Sequence, residues 1–482
     1  MKKQASTLLA LGIASVLAAC GGNNPETKTP ASSSGGPAKP TEAVSVEAEN
    51  KFKAAMDSMN AHDKAADWSD EVCAEVAKAF EAAAAETKSG KFPEAIFNSG
   101  LAFQRCGNDK EARARFEKTL QQDNGFHHAK VQLALYKFKA DQNEDGVIAE
   151  LQQAVLDAKF QNVPALVNLA AFQMQRDGAA GGQGCKDDME CAKQNLQRAL
   201  AIDDAYMPAF NQLALYYFQG AKKRAGAIKS SQKGNRGRQI ATNAALGKRA
   251  DVQQLELAAL VCSQAIRKNP SYAPIHNTAG LIQNELGQVN SAVSEFGMAS
   301  KLDPKFFEAH MNFAAVNLSF RGFEQALSAY KKALEMRPND YDAHLGLALA
   351  LRGLINDGNY DAQVAAVQAE LDACKKIDAA RPDAYYNEGI LTQEYKAKAG
   401  GTEDKIIATY EQAINILKSF MEKAAGKPEY EGAVKRSKER IQDMEDLIQF
   451  AKLKVAPEPG AAPAPAPAPG AAPAAAPPAD KK

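Results

Sequence analysis

From Ser271 to Pro338 the chain reads, after Ser271, YAPIHNTAGLIQNELGQVNSAVSEFGMASKLDP (Tyr272 to Pro304) and then, after Lys305, FFEAHMNFAAVNLSFRGFEQALSAYKKALEMRP (Phe306 to Pro338). Landmarks return every 34 residues: Gly280 is followed by Ala314 and Ala348, Ala292 by Ala326, Phe296 by Tyr330, Ala299 by Ala333, and Pro270 by Pro304 and Pro338. A fixed period of this length is the signature of a repeat array. Each unit holds two helical stretches, with small residues where helices approach closely and a bulky aromatic nearby, as at Ala292 and Phe296. One such pair cannot bury its own apolar face and must stack on its neighbours. Asp303-Pro304 and Arg337-Pro338 supply the breaks, since proline lacks an N–H and disfavours helix in the residue before it.

The period, the small-residue slots and the closing proline together resemble the tetratricopeptide repeat (TPR). The resemblance implies an all-α fold, a TPR solenoid of antiparallel helix pairs wound into a right-handed superhelix. Aligning the small slot of each first helix gives Gly100, Ala134, Ala170, Ala214, Gly280, Ala314, Ala348 and Gly389. The array is expected over 46–454, with a degenerate N-terminal pair before Gly100 and a charged capping helix from about Tyr430. Four steps exceed the period, that from Ala134 to Ala170 by only two residues. One is explained by a glycine-rich loop at 177–191 and one by a turn at 356–363. The longest, from Ala214 to Gly280, is expected to be an inserted loop at about 221–250, which has four glycines and no aromatics.

With 45% hydrophobic and only 7% aromatic residues in 482, a long alanine-rich array fits better than one large enzyme core. The N-terminus reads as an address: Lys2 and Lys3, an apolar run from Leu8 to Val16, then Leu17-Ala18-Ala19-Cys20-Gly21. That layout is a secretory signal too short to span a bilayer, the alternatives being a plain secreted protein or a buried helix. Its ending resembles the bacterial lipobox. The resemblance implies a signal peptide over 1–19 and lipidation of Cys20, and Gly21 in place of aspartate implies the outer membrane. Residues 20–45 read as the lipidated cysteine and a flexible tether, and 455–482, rich in alanine and proline, as an extended disordered tail. The tail could reach into the cell wall or be an inert spacer.

Six further cysteines need assigning. Cys185 and Cys191 flank Lys186-Asp187-Asp188-Met189-Glu190, and a local disulfide is the first reading. A metal site is the rival, weakened by the lack of a nearby histidine. Cys73 and Cys106 could pair, and Cys262 and Cys374 sit in the aromatic slot as small apolar groups. His276, His310 and His344 recur at the period, but equivalent helices stand about 8–10 Å apart, too far to share a zinc ion. They read as packing positions. No metal site and no cofactor is expected.

Asn98, Asn168, Asn312 and Asn387 each stand two residues before a small slot. The TPR resemblance implies that an asparagine there can face the concave groove and bind a peptide backbone or carboxylate; it is also a common structural residue at that place. Lys222, Lys223, Arg224, Lys229, Lys233, Arg236, Arg238, Lys248 and Arg249 fall in a stretch, 205–250, without one acidic residue. Such a segment suits an anionic partner such as phospholipid, lipopolysaccharide, wall polymer or an acidic protein. The plain alternative is a solvated loop, and nucleic acid does not fit an exported chain of zero net charge.

No GxSxG, HExxH or GK[ST] pattern is present, and no nucleophile-base pair is legible. A non-enzymatic scaffold in the periplasm is therefore expected. The layout of lipobox, tether, repeats and tail resembles the TPR lipoproteins of the myxobacterial adventurous gliding-motility machinery, which implies periplasmic and outer-membrane protein partners. A pilotin-like factor for secretin or type IV pilus assembly is the alternative of the same class. A peptidoglycan-acting enzyme or its regulatory subunit is the alternative of another class.

Overall fold

Helix starts are written into the sequence. Asn108, Asn143, Asn162 and Asp187 each accept a hydrogen bond from the backbone N–H three residues on, satisfying a donor that the first helical turn leaves free. Pro93, Pro164 and Pro274 occupy first-turn positions, where a missing N–H costs nothing. Between repeats the same turn recurs: Asp123, Asp203, Asn269, Asp303 and Asp378 each accept from the backbone N–H two residues on.

In the computed structural model the described residues are 44–65, 67–179, 184–232, 240–399 and 401–455, with side chains described outside 224–251 and 453–455. Cys20, the tether before residue 44 and the tail from 456 lie outside them. Among the described residues there are nineteen α-helices and no strand. In order they are α1 (Val46–Ala65), α2 (Asp70–Ala85), α3 (Pro93–Arg105), α4 (Asp109–Gln122), α5 (His127–Asp141), α6 (Glu144–Asp157), α7 (Val163–Arg176), α8 (Asp188–Ile202), α9 (Met207–Gln232) and α10 (Ile240–Lys268). Then follow α11 (Ala273–Glu285), α12 (Val289–Leu302), α13 (Phe307–Ser319), α14 (Phe323–Met336), α15 (Tyr341–Gly353), α16 (Tyr360–Ile377), α17 (Asp383–Glu394), α18 (Glu403–Ala424) and α19 (Glu431–Val455).

The chain divides into two compact units, one ending at Gly353 and the other starting at Leu354. In the first, each helix packs on the next, and α5, α7, α9, α11, α13 and α15 form a row in which each touches the following one. This is the all-α TPR architecture that the 34-residue period implies. The second unit packs α16 on α17, α17 on α18 and α18 on α19.

Close approach explains the small slots. A Cβ on Gly280 would stand 2.6 Å from the Phe296 ring, and one on Gly100 2.6 Å from Phe116. Both rings are fully buried, and each contributes roughly 2–3 kcal/mol by leaving water. At the N-terminal end Asp63 of α1 holds Arg105 of α3 at 2.8 and 3.0 Å and accepts from the Trp68 indole N–H at 2.9 Å.

Residues 221–232 and 240–250 are helical, not the loop that the glycines of this segment suggested. α9 runs 26 residues to Gln232, and α10 begins at Ile240 and runs 29. The insertion lengthens both helices of one repeat. Alanine, lysine, arginine and glutamine are good helix formers, and no proline interrupts the chain between Pro208 and Pro270. A partner helix alongside supplies the packing that outweighs the glycines.

Candidate functional site

The row of first helices carries polar side chains two residues before most of the small slots, and in α9 and α11 also three residues before, at Asn211 and Asn277. They link helix to helix. Thr278 donates its hydroxyl to Asn211 Oδ1 at 2.6 Å, joining α11 to α9, and Asn312 Nδ2 donates to Asn277 Oδ1 at 2.9 Å, joining α13 to α11. Gln104 Nε2 donates to Gln132 Oε1 at 3.1 Å, joining α3 to α5. Asn211 and Asn277 were not singled out from the sequence. Their signal is an asparagine three positions before the slot, which only these two repeats carry.

Of the four asparagines expected at a groove, Asn98 and Asn168 are buried, while Asn312 and Asn387 are half-buried. Asn98, Asn168 and Asn387 each donate Nδ2 to the carbonyl four residues earlier in their own helix, at 2.7–2.9 Å. Asn312 donates across to Asn277 instead. Part of their hydrogen-bonding capacity is therefore spent inside the array. Asn168 Oδ1 and Gln175 Oε1 are buried oxygens with no hydrogen-bond partner, and at seven residues' separation they share one face of α7. A buried acceptor left unmatched costs about 1–3 kcal/mol.

Cys185 and Cys191 form a disulfide, with Cα atoms 5.3 Å apart, and so do Cys73 and Cys106, with Cα atoms 6.4 Å apart. The first closes the glycine-rich loop onto the start of α8. Asp188, fully buried there, takes both arms of Arg176 at 2.7 Å and the Gly178 N–H at 2.7 Å. Burial alone would raise the Asp188 pKa, but Arg176 and the Gly178 N–H hold it below the usual carboxylate range. Cys262 and Cys374 are buried, and burial pushes the Cys262 thiol far up, leaving it unreactive.

The basic set divides. Lys222 pairs with Glu285 and lies over the Phe218 ring, and Lys223 pairs with Asp177. Arg224 and Lys229 continue along α9, Lys248 and Arg249 lie on α10, and Lys233, Arg236 and Arg238 fall outside the described residues. An open groove of about 620 Å³ between α18 and α19 is crossed by the pairs Lys418–Glu445 and Lys452–Glu411. Ile414 and Ile448 line it. Among the described residues no cluster of His, Cys, Asp or Glu is suited to a metal, and no helix is long and apolar enough to cross a membrane.

No protein-family model matches the chain. A curated relative, the small glutamine-rich tetratricopeptide repeat-containing protein 2 of Mycosarcoma maydis, is 27% identical over 99 residues, 20% of this chain and 28% of that protein. The match thus spans little more than a quarter of the relative's length. Among solved structures, a thermophilic TPR protein of Thermus thermophilus is 25% identical, with 47% of this chain and 99% of that chain covered at a TM-score of 0.36. A TPR protein of Parabacteroides merdae is 13% identical, covering 64% of this chain and 98% of its own at a TM-score of 0.37. YrrB, described as a TPR protein with an unusual peptide-binding site, is 16% identical, covering 48% and 97% at a TM-score of 0.32.

Proposed function

We propose that the chain is a non-enzymatic TPR scaffold that binds extended segments of partner proteins along its row of first helices. The observation that carries this reading is the pair of unmatched buried acceptors, Asn168 Oδ1 and Gln175 Oε1, on one face of α7 within that row. A peptide in extended conformation presents backbone N–H groups in a line, which is what such a face lacks. The lipobox-like Leu17-Ala18-Ala19-Cys20 makes the scaffold a lipoprotein of the outer membrane with its folded part in the periplasm. Two disulfides agree with an oxidising compartment. Its role is assembly of an envelope complex, and the gliding-motility machinery is the assignment that the overall layout favours.

The test is crosslinking in cells followed by identification of captured proteins, with the wild type beside Asn168→Ala/Gln175→Ala and Cys20→Ser. Envelope proteins are expected with the wild type, and the double variant should recover at least about tenfold less of them. Cys20→Ser should leave the membrane fraction on washing with about 0.5 M salt, which screens any charge attraction. Equal recovery by wild type and double variant would remove α7 from the proposal, and retention of Cys20→Ser through that wash would remove the anchor.

A further inference from the structure

We infer that the lengthened α9–α10 hairpin is a docking arm for the anionic surface of a phospholipid bilayer. Two ion pairs mark where the arm leaves the array. Lys222 Nζ stands 2.9 Å from Glu285, the last residue of α11, and Lys223 pairs with Asp177, which caps α7. At that level the neighbouring first helices end. α9 runs on through 224–232, about 14 Å further at 1.5 Å per residue, and α10 returns alongside it.

Arg224 and Lys229 lie on the overhang of α9, and Lys248 and Arg249 on the first three turns of α10. Neither helix carries an acidic residue before Asp251, and only Asp251 and Glu256 follow on α10. The acidic neighbours Glu285 and Asp177 are engaged at the root by Lys222 and Lys223. Helical register sets 224 and 229 about 140° apart and 248 and 249 about 100° apart. The charge is spread over both helices of the arm.

That distribution, with the composition, selects the partner. Protein interfaces draw most of their energy from buried aromatic and arginine anchors seated in pockets, and single-stranded nucleic acid is held by stacking on aromatics. From 219 to 271 there is no Phe, Tyr or Trp. A bilayer rich in anionic headgroups asks for neither pocket nor stacking. It attracts any group of Lys and Arg that comes within a Debye length, with each charge adding to the total. A projecting helix pair is the part of a stacked array that can reach a flat surface. The inference does not need the Cys20 anchor, because the attraction depends on charge alone.

The test uses the full chain carrying Cys20→Ser and liposomes of pure phosphatidylcholine or of phosphatidylcholine with 30% phosphatidylglycerol, about the anionic share at which such attraction is strong. Flotation is expected with the anionic liposomes only, and to weaken several-fold or more when salt is raised from about 0.1 to 0.5 M. Arg224→Gln/Lys229→Gln/Lys248→Gln/Arg249→Gln should lower anionic-liposome binding by roughly a hundredfold, with helix content and capture of partner proteins unchanged. These substitutions suit a helix, so loss of folding is not the expected cause. Equal binding to both liposomes, or full binding by the fourfold variant, overturns the inference, as does capture of an acidic protein by the arm without any liposome binding. Failure of the anchor reads out separately, as wild-type protein from cells that does not float with neutral liposomes.

Discussion

His276, His310 and His344 each stand six residues after the proline that closes the preceding repeat, and each places Nε2 2.9–3.1 Å from that proline's carbonyl oxygen. Their period was legible as a packing position. The hydrogen bond was not, because its partner is a backbone carbonyl that no residue type announces. His276 goes further, with Nδ1 2.7 Å from Glu295 Oε2. Carbonyl and carboxylate both accept, so the arrangement favours a doubly protonated ring. Burial works against that charge, but the hydrogen bonds to Glu295 and Pro270 outweigh it and raise the pKa above the ordinary 6.5. A folded-state pKa above the unfolded one gives stability that is complete below about pH 6.5 and is lost as pH rises through the folded value. The difference in melting temperature between wild type and His276→Gln should therefore be largest near pH 5.5 and shrink toward pH 9; a constant difference would show that the ring is neutral throughout. The asparagine position was less uniform than the family pattern implies for an equally physical reason. Gly346 fills it in the seventh repeat because a Cβ there would lie 2.1 Å from the Tyr330 ring of the repeat before.

At the scale of elements, boundaries marked by caps and prolines were readable, and the conformation of the insertion was not. Four glycines between 221 and 250 suggested a loop, yet Gly226 and Gly247 lie within α9 and α10, whose pairing overrides a local cost of about 1 kcal/mol each. The two cysteine pairs illustrate the same division. Cys185 and Cys191 were paired from sequence because six residues separate them; Cys73 and Cys106 needed the packing of α2 on α3 to bring them together. In the loop-entropy view, the longer closure stabilises more, about 4 kcal/mol for a separation of 33 against about 2 kcal/mol for 6. Cys73→Ser/Cys106→Ser should therefore loosen α1 to α3 more than Cys185→Ser/Cys191→Ser loosens α7 and α8. Hydrogen exchange resolved by segment measures both, and a larger effect at the glycine-rich loop would contradict the ordering.

At the scale of the whole molecule, stability in a stacked array is close to a sum of repeat terms and nearest-neighbour interfaces, so its exposed ends need polar covers. The charged sequence from about Tyr430 reads as such a cover, and α19 packs on α18. Ile441, Met444 and Ile448 bury against Ala413, Ile414 and Leu417 of α18, while Lys435, Glu439, Asp443 and Asp446 face outward. Met444 is fully buried, and a carboxylate in its place would have no partner. Met444→Asp should cost about 3–5 kcal/mol at this interface and release α19, uncovering the apolar face of α18. Because the loss is confined to one nearest-neighbour interface, exchange protection in α1 to α14 should stay at its wild-type level. Light scattering should show the variant associating through the uncovered face. A variant that stays monomeric while losing protection throughout α1 to α14 would mean that the chain melts as one cooperative body, and the additive account of this array would fail.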